Sequence, residues 1–116
     1  MYALGWYHTV WKEVDGADVR LRARCKAALD RLQRMQPGVP SGLRLEKVHK
    51  NITELKVSWN KQEFRFLFFW QIHVIYIVHF FQKKTKKTPP SDIDLAVTRM
   101  KEIQLERASI VTGALH

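Results

Sequence analysis

The stretch EFRFLFFWQIHVIYIVHFFQKKTKKTPPSDI, residues 63–93, decides the fold of this chain of 116 residues. Almost every residue before Gln82 is apolar or aromatic, and four lysines then follow within five residues. Such a run is compatible with a membrane span and a basic stop, with a buried helix, or with strands that end in a site for a polyanion. The residue types inside the run distinguish these three structures.

The apolar part of this run is a poor membrane span. Residues 64–81 are eighteen in number, barely the length of a spanning helix, and they include Arg65, Gln71, His73 and His79. Phe, Tyr, Ile and Val dominate the rest, and these residues favour strands. The run therefore predicts two strands joined by a turn at residues 70–73, and no membrane span.

The strand pattern continues upstream of the run. Apolar and polar residues alternate over residues 54–59, as expected for a half-buried strand. Residues 60–62 predict a hairpin turn into a strand over 63–69, where Arg65 is an isolated cation in an apolar pattern. A third strand is predicted over 74–81, and a short first strand over 5–12.

Two segments carry the helical period. From Asp18 onward, apolar residues recur at steps of three and four; they are Leu21, Cys25, Ala28, Leu29, Leu32 and Met35. A proline- and glycine-rich segment, residues 36–42, ends this helix. A second helix is predicted after the two prolines at 89 and 90, with Ser91 as its N-cap. The tail from Ala108 carries no assignable pattern.

Together these elements predict one domain over residues 1–116 of the α+β class. We expect an antiparallel sheet of three to four strands, an N-terminal helix or helical hairpin, and a C-terminal helix. The N-terminus has no basic region followed by an apolar one, and Cys25 is the only cysteine. A cytoplasmic location without disulfides is therefore expected.

The charge of the chain indicates its class of partner. Twenty Lys and Arg against eleven Asp and Glu give a net charge of +9, which attracts polyanions, of which nucleic acid is the commonest. An acidic partner protein is the alternative. The five histidines show no metal-ligand spacing, and no phosphate loop or nucleophile motif is present. We therefore expect no metal and no cofactor.

The candidate functional residues lie on or just after the predicted strands. They are Lys56, Arg65, Lys83, Lys84, Lys86 and Lys87. In a three-stranded meander they can converge on one edge of the sheet, with Phe81 or Trp59 near enough to stack on a base. The alternatives are a salt bridge from Arg65 to Glu54 or Glu63, and a solvated loop for the lysines.

A lysine-rich site suits one reaction in particular. The 2′-hydroxyl of RNA attacks the adjacent phosphate when a base removes its proton and cations stabilise the developing charge. Lysine ordinarily titrates at about 10.4, but neighbouring cations lower the pKa of a lysine because like charges disfavour protonation. RNA cleavage is therefore chemically coherent without histidine or carboxylate catalysis.

Two segments resemble a known family. ITELKVSWNKQEFRFLFF (residues 52–69) and VHFFQKKTKKTPPSDIDLAVTRMKEI (residues 78–103) are similar to the RelE/HigB superfamily of bacterial type II toxins, in its phage-derived HigB-like and Tad-like branch. The similarity extends over about residues 41–104. It implies a RelE-like fold and a metal-independent endoribonuclease that cleaves mRNA in the ribosomal A site and leaves a 2′,3′-cyclic phosphate.

The resemblance also implies partners. A cognate HigA-like antitoxin with a helix-turn-helix domain would cover or deform the site. The antitoxin would repress the shared operon, so operator DNA is contacted only through it. Some members of the same superfamily, the ParE-like gyrase inhibitors, have the fold without the RNase activity. A non-catalytic nucleic-acid-binding protein is a further alternative.

The roles of individual residues follow from the same resemblance. Arg65 matches the arginine that holds the scissile phosphate, while Lys56 and Lys84 would serve proton transfer and charge stabilisation. RNA would be bound by the remaining candidates, Lys83, Lys86, Lys87 and Phe81. The chain departs from the family where ELK replaces ELR, since lysine lacks the bidentate fork of arginine. For the C-terminal tyrosine or histidine of some members, His116 is the nearest candidate.

Overall fold

The computed structural model describes residues 1–115. The elements in this part of the chain are, in order, β1 (Ala3–Tyr7), α1 (His8–Asp15), α2 (Val19–Gln33), β2 (Arg44–Lys47), β3 (Thr53–Trp59), β4 (Gln62–Gln71), β5 (Val74–Lys83), α3 (Pro90–Gln104) and β6 (Ile110–Thr112). The strands form one sheet in the order β2-β3-β4-β5-β1-β6. β1 runs parallel to β5, and every other neighbouring pair is antiparallel.

The α+β class is confirmed, and the arrangement is RelE-like: two N-terminal helices, a mostly antiparallel sheet and a C-terminal helix. The sheet has six strands rather than three to four, because β2 and β6 add one short strand to each edge. These edge strands have only four and three residues, too few for a period-two pattern to stand out.

The predicted strand over residues 5–12 was wrong in its second half. β1 ends at Tyr7, and α1 begins at the next residue. Val10 and Val14 are the buried residues of α1 and lie four positions apart, which is a helical spacing. The apolar residues of 5–12 therefore belong to two elements with different periods.

The central meander has the two predicted turns. Asn60 and Lys61, with φ of 52° and 61°, form the two-residue connection between β3 and β4. Two positive φ values are typical of a type I′ turn, whose twist matches that of the flanking strands. β4 and β5 are joined at residues 72–73, where Ile72 has a φ of 56°.

The sheet is packed on both faces. α1 and α2 cover one face, where Trp6, Leu29 and Phe66 belong to the larger of two apolar clusters. α3 covers part of the other face, and its Ala96 and Met100 belong to the second cluster. Strands β4 and β5 serve both layers, which explains the almost continuous apolar run in their sequence. None of the helices in residues 1–115 is both long and apolar enough to cross a membrane.

The start of α3 differs from the prediction. Pro89 is the N-cap and Pro90 the first helical residue, so Ser91 lies one position inside the helix and caps nothing. Proline suits the first helical position because its missing N–H would have no partner there. Asp92 lies in the first turn, and its Oδ1 is 2.6 Å from Nε2 of His79 on β5.

We expect the substitution Ile72→Asn to stabilise the protein. A β-branched residue at positive φ is strained by about 1–2 kcal/mol, whereas asparagine tolerates this conformation. Ile72 is 83% exposed, so little packing is lost. Urea unfolding should show a rise in the free energy of unfolding of about 1 kcal/mol. The control Ile72→Val, which keeps the branch, should not raise stability, and an equal gain in both variants would contradict the explanation.

Candidate functional site

The candidate site lies on the α3 face of the sheet, beyond the N-terminal end of that helix. The apolar contacts of α3 with the sheet involve Leu67, Phe69 and Val78. Toward the start of β4 and the end of β5, the same face carries charged side chains. The hydrogen-bond register of four strands places these side chains in rows across the sheet.

One row consists of three cations and an aromatic ring. Arg44 of β2 pairs with Lys56 of β3, Lys56 with Arg65 of β4, and Arg65 with Phe81 of β5. Directly paired residues of antiparallel strands have neighbouring side chains on the same face. We call this set, Arg44, Lys56, Arg65 and Phe81, the cationic row. Like charges so close repel each other unless anions lie between them.

Three carboxylates flank the cationic row. On one side of it, Glu46 of β2 is the register neighbour of Glu54 of β3. On the other side, Glu63 of β4 is the register neighbour of Ser58 of β3 and of Lys83 of β5. Glu46 Oε1 is 3.4 Å from the Lys56 amine. The alternation of acidic and basic rows allows three cations to lie side by side in the sheet.

Glu54 forms the buried centre of the site. Its side chain is fully buried, and Arg65, the nearest cation, is 8% exposed. Arg65 Nε lies 2.7 Å from Glu54 Oε1, although the N–H is not aligned on that oxygen, so charge holds the pair more than a directional hydrogen bond does. Lys83 Nζ is 3.8 Å from the same oxygen, and the Thr88 hydroxyl donates to Oε2. A buried carboxylate is tolerated only with such partners.

Glu63 holds the other side of the Arg65 guanidinium. Its Oε2 accepts hydrogen bonds, each 2.9 Å long, from Arg65 Nη1, Arg44 Nη2 and the Ser58 hydroxyl. The hydrogen bond from Arg65 is the largest cause that lowers the pKa of Glu63 from 4.5 to about 2. Glu63 is therefore an anion at neutral pH and cannot donate a proton. Both salt bridges that were the alternative for Arg65 are present.

The predicted lysines divide into two groups. Lys56 is 25% exposed within the cationic row, whereas the Lys83 side chain is only 6% exposed and points to Glu54. Lys84, Lys86 and Lys87 are exposed on the loop between β5 and α3. Within residues 1–115, no ion pair joins these three loop lysines to a carboxylate.

Thr88 ties the loop after β5 to the sheet, and Thr85 forms a hydrogen bond within the loop. Thr88 donates to Glu54, and the Thr85 hydroxyl donates to the Lys87 carbonyl at 2.7 Å. The Thr88 bond holds the end of the loop at Glu54, next to the cationic row. Sequence reasoning missed this role of Thr88, because its partner is thirty-four positions away. No local pattern reports so distant a contact.

Sequence reasoning also missed a histidine–aspartate pair next to the cationic row. His79 Nε2 contacts Asp92 Oδ1, and the imidazole stacks on Phe81 with ring centroids 5.1 Å apart. One face of the Phe81 ring is therefore occupied by the imidazole. His116 lies outside the described residues. In the part of the chain that is described, no group of three or more His, Cys, Asp or Glu could hold a metal ion.

We predict that Arg65→Ala destabilises the fold. The substitution leaves Glu54 buried with its nearest cation 3.8 Å away, and breaking a buried ion pair from one side lowers the free energy of unfolding by about 3–5 kcal/mol. Urea unfolding measures the loss. Arg20→Ala, an exposed arginine of α2, is the control and should change stability by less than about 0.5 kcal/mol. Equal stability of Arg65→Ala and the unsubstituted protein would contradict the role of the pair.

We predict a pH-dependent effect of Glu63→Gln. Because the folded pKa of Glu63 lies below the unfolded value, its contribution is complete above about pH 4.5 and is lost as the pH falls toward 2. The side chain is 42% exposed, so the contribution is about 1 kcal/mol after solvent screening. The stability difference between the two proteins should shrink over this range. Glu13→Gln, at an exposed site on α1, should show no comparable change; a constant difference for Glu63→Gln would refute the assignment.

Comparison with known proteins identifies the family of this chain. The model of the phage-derived Gp49-like proteins (DUF891) matches residues 12–101, which include α2, most of α3, the cationic row and the loop lysines. No relative was found among curated proteins. The matched region covers most of the chain and contains every element that forms the candidate site. The chain therefore belongs to the phage-derived Gp49-like protein family.

Proposed function

We propose that this protein is the toxin of a type II toxin–antitoxin pair, a metal-independent endoribonuclease that cleaves mRNA in the ribosomal A site. The observation that carries the proposal is the cationic row, which presents cations beside an aromatic ring on one face of the sheet. In single-stranded RNA, the cations of such a row can bind a phosphate, and the aromatic ring can stack on a base. The resemblance to RelE/HigB toxins and the net charge of +9 agree with it.

The proposed reaction uses only groups of the RNA and of the protein. Lys56, in its neutral form, removes the proton from a 2′-hydroxyl, and that oxygen attacks the adjacent phosphorus. The bond from phosphorus to the 5′-oxygen breaks, and the Lys84 ammonium donates a proton to that oxygen, which leaves a 2′,3′-cyclic phosphate and a 5′-hydroxyl. Arg65 and Lys84 stabilise the negative charge that develops on the phosphate oxygens and the leaving oxygen.

The ion pairs of Arg65 bear on its role in this reaction. Glu54 and Glu63 fix the guanidinium in one orientation, so a phosphate would meet a preorganised donor. The same carboxylates compete with the phosphate for the charge of Arg65. Exposed Lys84, Lys86 and Lys87 therefore provide most of the available charge, while Lys83 neutralises Glu54.

The burial of two candidate cations also favours a second function. Arg65 and Lys83 are committed to Glu54, as they would be in a protein that binds nucleic acid or a gyrase without catalysing cleavage. In that case Arg65 is purely structural, and growth arrest would not depend on Lys56. In either case we propose that the protein acts in the cytoplasm and that a HigA-like helix-turn-helix antitoxin covers this face and alone contacts operator DNA.

Mapping of transcript 5′ ends after induction tests the RNase function. The unsubstituted protein should produce, within minutes, new ends inside reading frames and in phase with codons. Lys56→Gln should lower cleavage at least about 100-fold, because general acid–base catalysis contributes that much. Lys101→Gln, at an exposed lysine of α3, is the matched control and should cleave normally. Lys56 is used because Arg65→Ala is expected to lower the stability of the fold as well.

The other outcomes of this experiment decide between the functions. Growth arrest with intact transcripts, unchanged in Lys56→Gln, would replace the RNase by the gyrase-inhibitor or binding function. Cleavage by Lys56→Gln at the normal rate would remove Lys56 from the mechanism. Normal growth with intact transcripts would contradict the proposal that the protein is a toxin.

A further inference from the structure

A second basic surface lies around the β2 edge from the cationic row. It is a groove of about 360 Å³ between α2 and the segment that leads into β2. Its lining residues are Arg24, Ala27, Ala28, Arg31, Gly42, Leu43, Arg44, Lys56, Val57 and Ser58. None of these residues is a carboxylate. The side chains of Arg44 and Lys56 lie on the α3 face in the cationic row, so Arg24 and Arg31 supply the positive charge of the groove.

The two arginines on α2 supply charge that no carboxylate neutralises. Arg44 and Lys56 pair with Glu63 and Glu46, but no ion pair involves Arg24 or Arg31 within residues 1–115. Both arginines are exposed. They are seven residues apart, two helical turns or about 10.5 Å, and point to the same flank of the helix. Two guanidinium groups on the same flank of a helix can each bind a separate phosphate of one extended strand.

Gly42 contributes to the shape of the groove beside Arg31. Its φ of +74° is a conformation that residues with a side chain rarely adopt. A Cβ at this position would lie 3.4 Å from Arg31 Nη1, so the guanidinium rests against bare backbone. Ala27 and Ala28 line the helix side with small side chains. The guanidinium therefore lies at the groove wall with open space in front of it.

The groove and the cationic row share two residues, Arg44 and Lys56. A strand bound at the row can therefore continue around the β2 edge to the groove. The carboxylates beside Arg44 and Lys56, which are Glu63 and Glu46, are already paired with these cations. We propose that the groove binds the phosphate backbone of the same single-stranded RNA, some nucleotides away from the phosphate at Arg65. This inference rests on the proposed function in its choice of RNA as the polyanion.

Binding of oligonucleotides of two lengths tests the groove. The probes are single-stranded 2′-O-methyl RNAs, which cannot be cleaved, of four and twenty nucleotides. Arg24→Gln/Arg31→Gln should weaken binding of the longer probe about 25-fold at 0.1 M salt and reduce its salt slope by about 1.4, because each phosphate contact on a single strand contributes about 0.7. Binding of the four-nucleotide probe should not change.

The control is Lys26→Gln, on the same helix but on the opposite flank and outside the groove. It should bind both probes like the unsubstituted protein. All variants should have unchanged thermal unfolding, because the three substituted side chains are exposed.

Three results would overturn the inference. One is equal binding of the longer probe by the double variant and the unsubstituted protein, and another is an equal loss on both probes. The third is failure of the unsubstituted protein to bind the longer probe at 0.05 M salt. The mapping of transcript ends still decides the proposed function in each case, so the two failures are distinguishable.

Discussion

The buried carboxylate of Glu54 is the constraint on which this face of the molecule depends. A fully desolvated anion in the middle of a sheet is stable only when cations and donors surround it. The partners of Glu54 are Arg65 on β4, Lys83 on β5 and Thr88 on the loop that leads to α3. One side chain therefore links three strands and determines where the lysine-rich loop lies on the sheet.

The candidate phosphate-binding residue, Arg65, is also part of the ion-pair network that stabilises the fold. The guanidinium that the family resemblance assigns to phosphate is also the counter-ion of Glu54, and Glu63 holds its other side. Such pairing orients the cation but takes up much of its charge. Among the described residues 1–115, cations without an ion pair lie at the periphery, and they include those on the loop after β5 and on the outer flank of α2. In the function proposed above, binding of an extended polyanion would use the periphery and cleavage at one phosphate would use the centre.

The site could be predicted only in part from the sequence, and the reason is its geometry. The strand pattern identified Lys56 and Arg65 as candidate functional residues, and the cluster of lysines after the third strand identified those of the loop. Arg44 could not be recognised, because its strand has four residues and its neighbours were unknown without the register. Nor could the inward direction of Lys83 be recognised: a lysine in a basic cluster looks exposed until its buried partner is known.

What the sequence by itself determined is local: the periods of α2 and of the β3–β5 meander, their turns, the excess of positive charge and the motifs of the family. Tertiary structure alone decided which of these charges meet. It joined β1 to β5 in parallel, divided the N-terminal segment into a strand and a helix, and aligned Arg44, Lys56 and Arg65 across three strands. Secondary structure follows from interactions between near neighbours in the chain, whereas ion pairs and grooves depend on the strand register and on burial between distant segments.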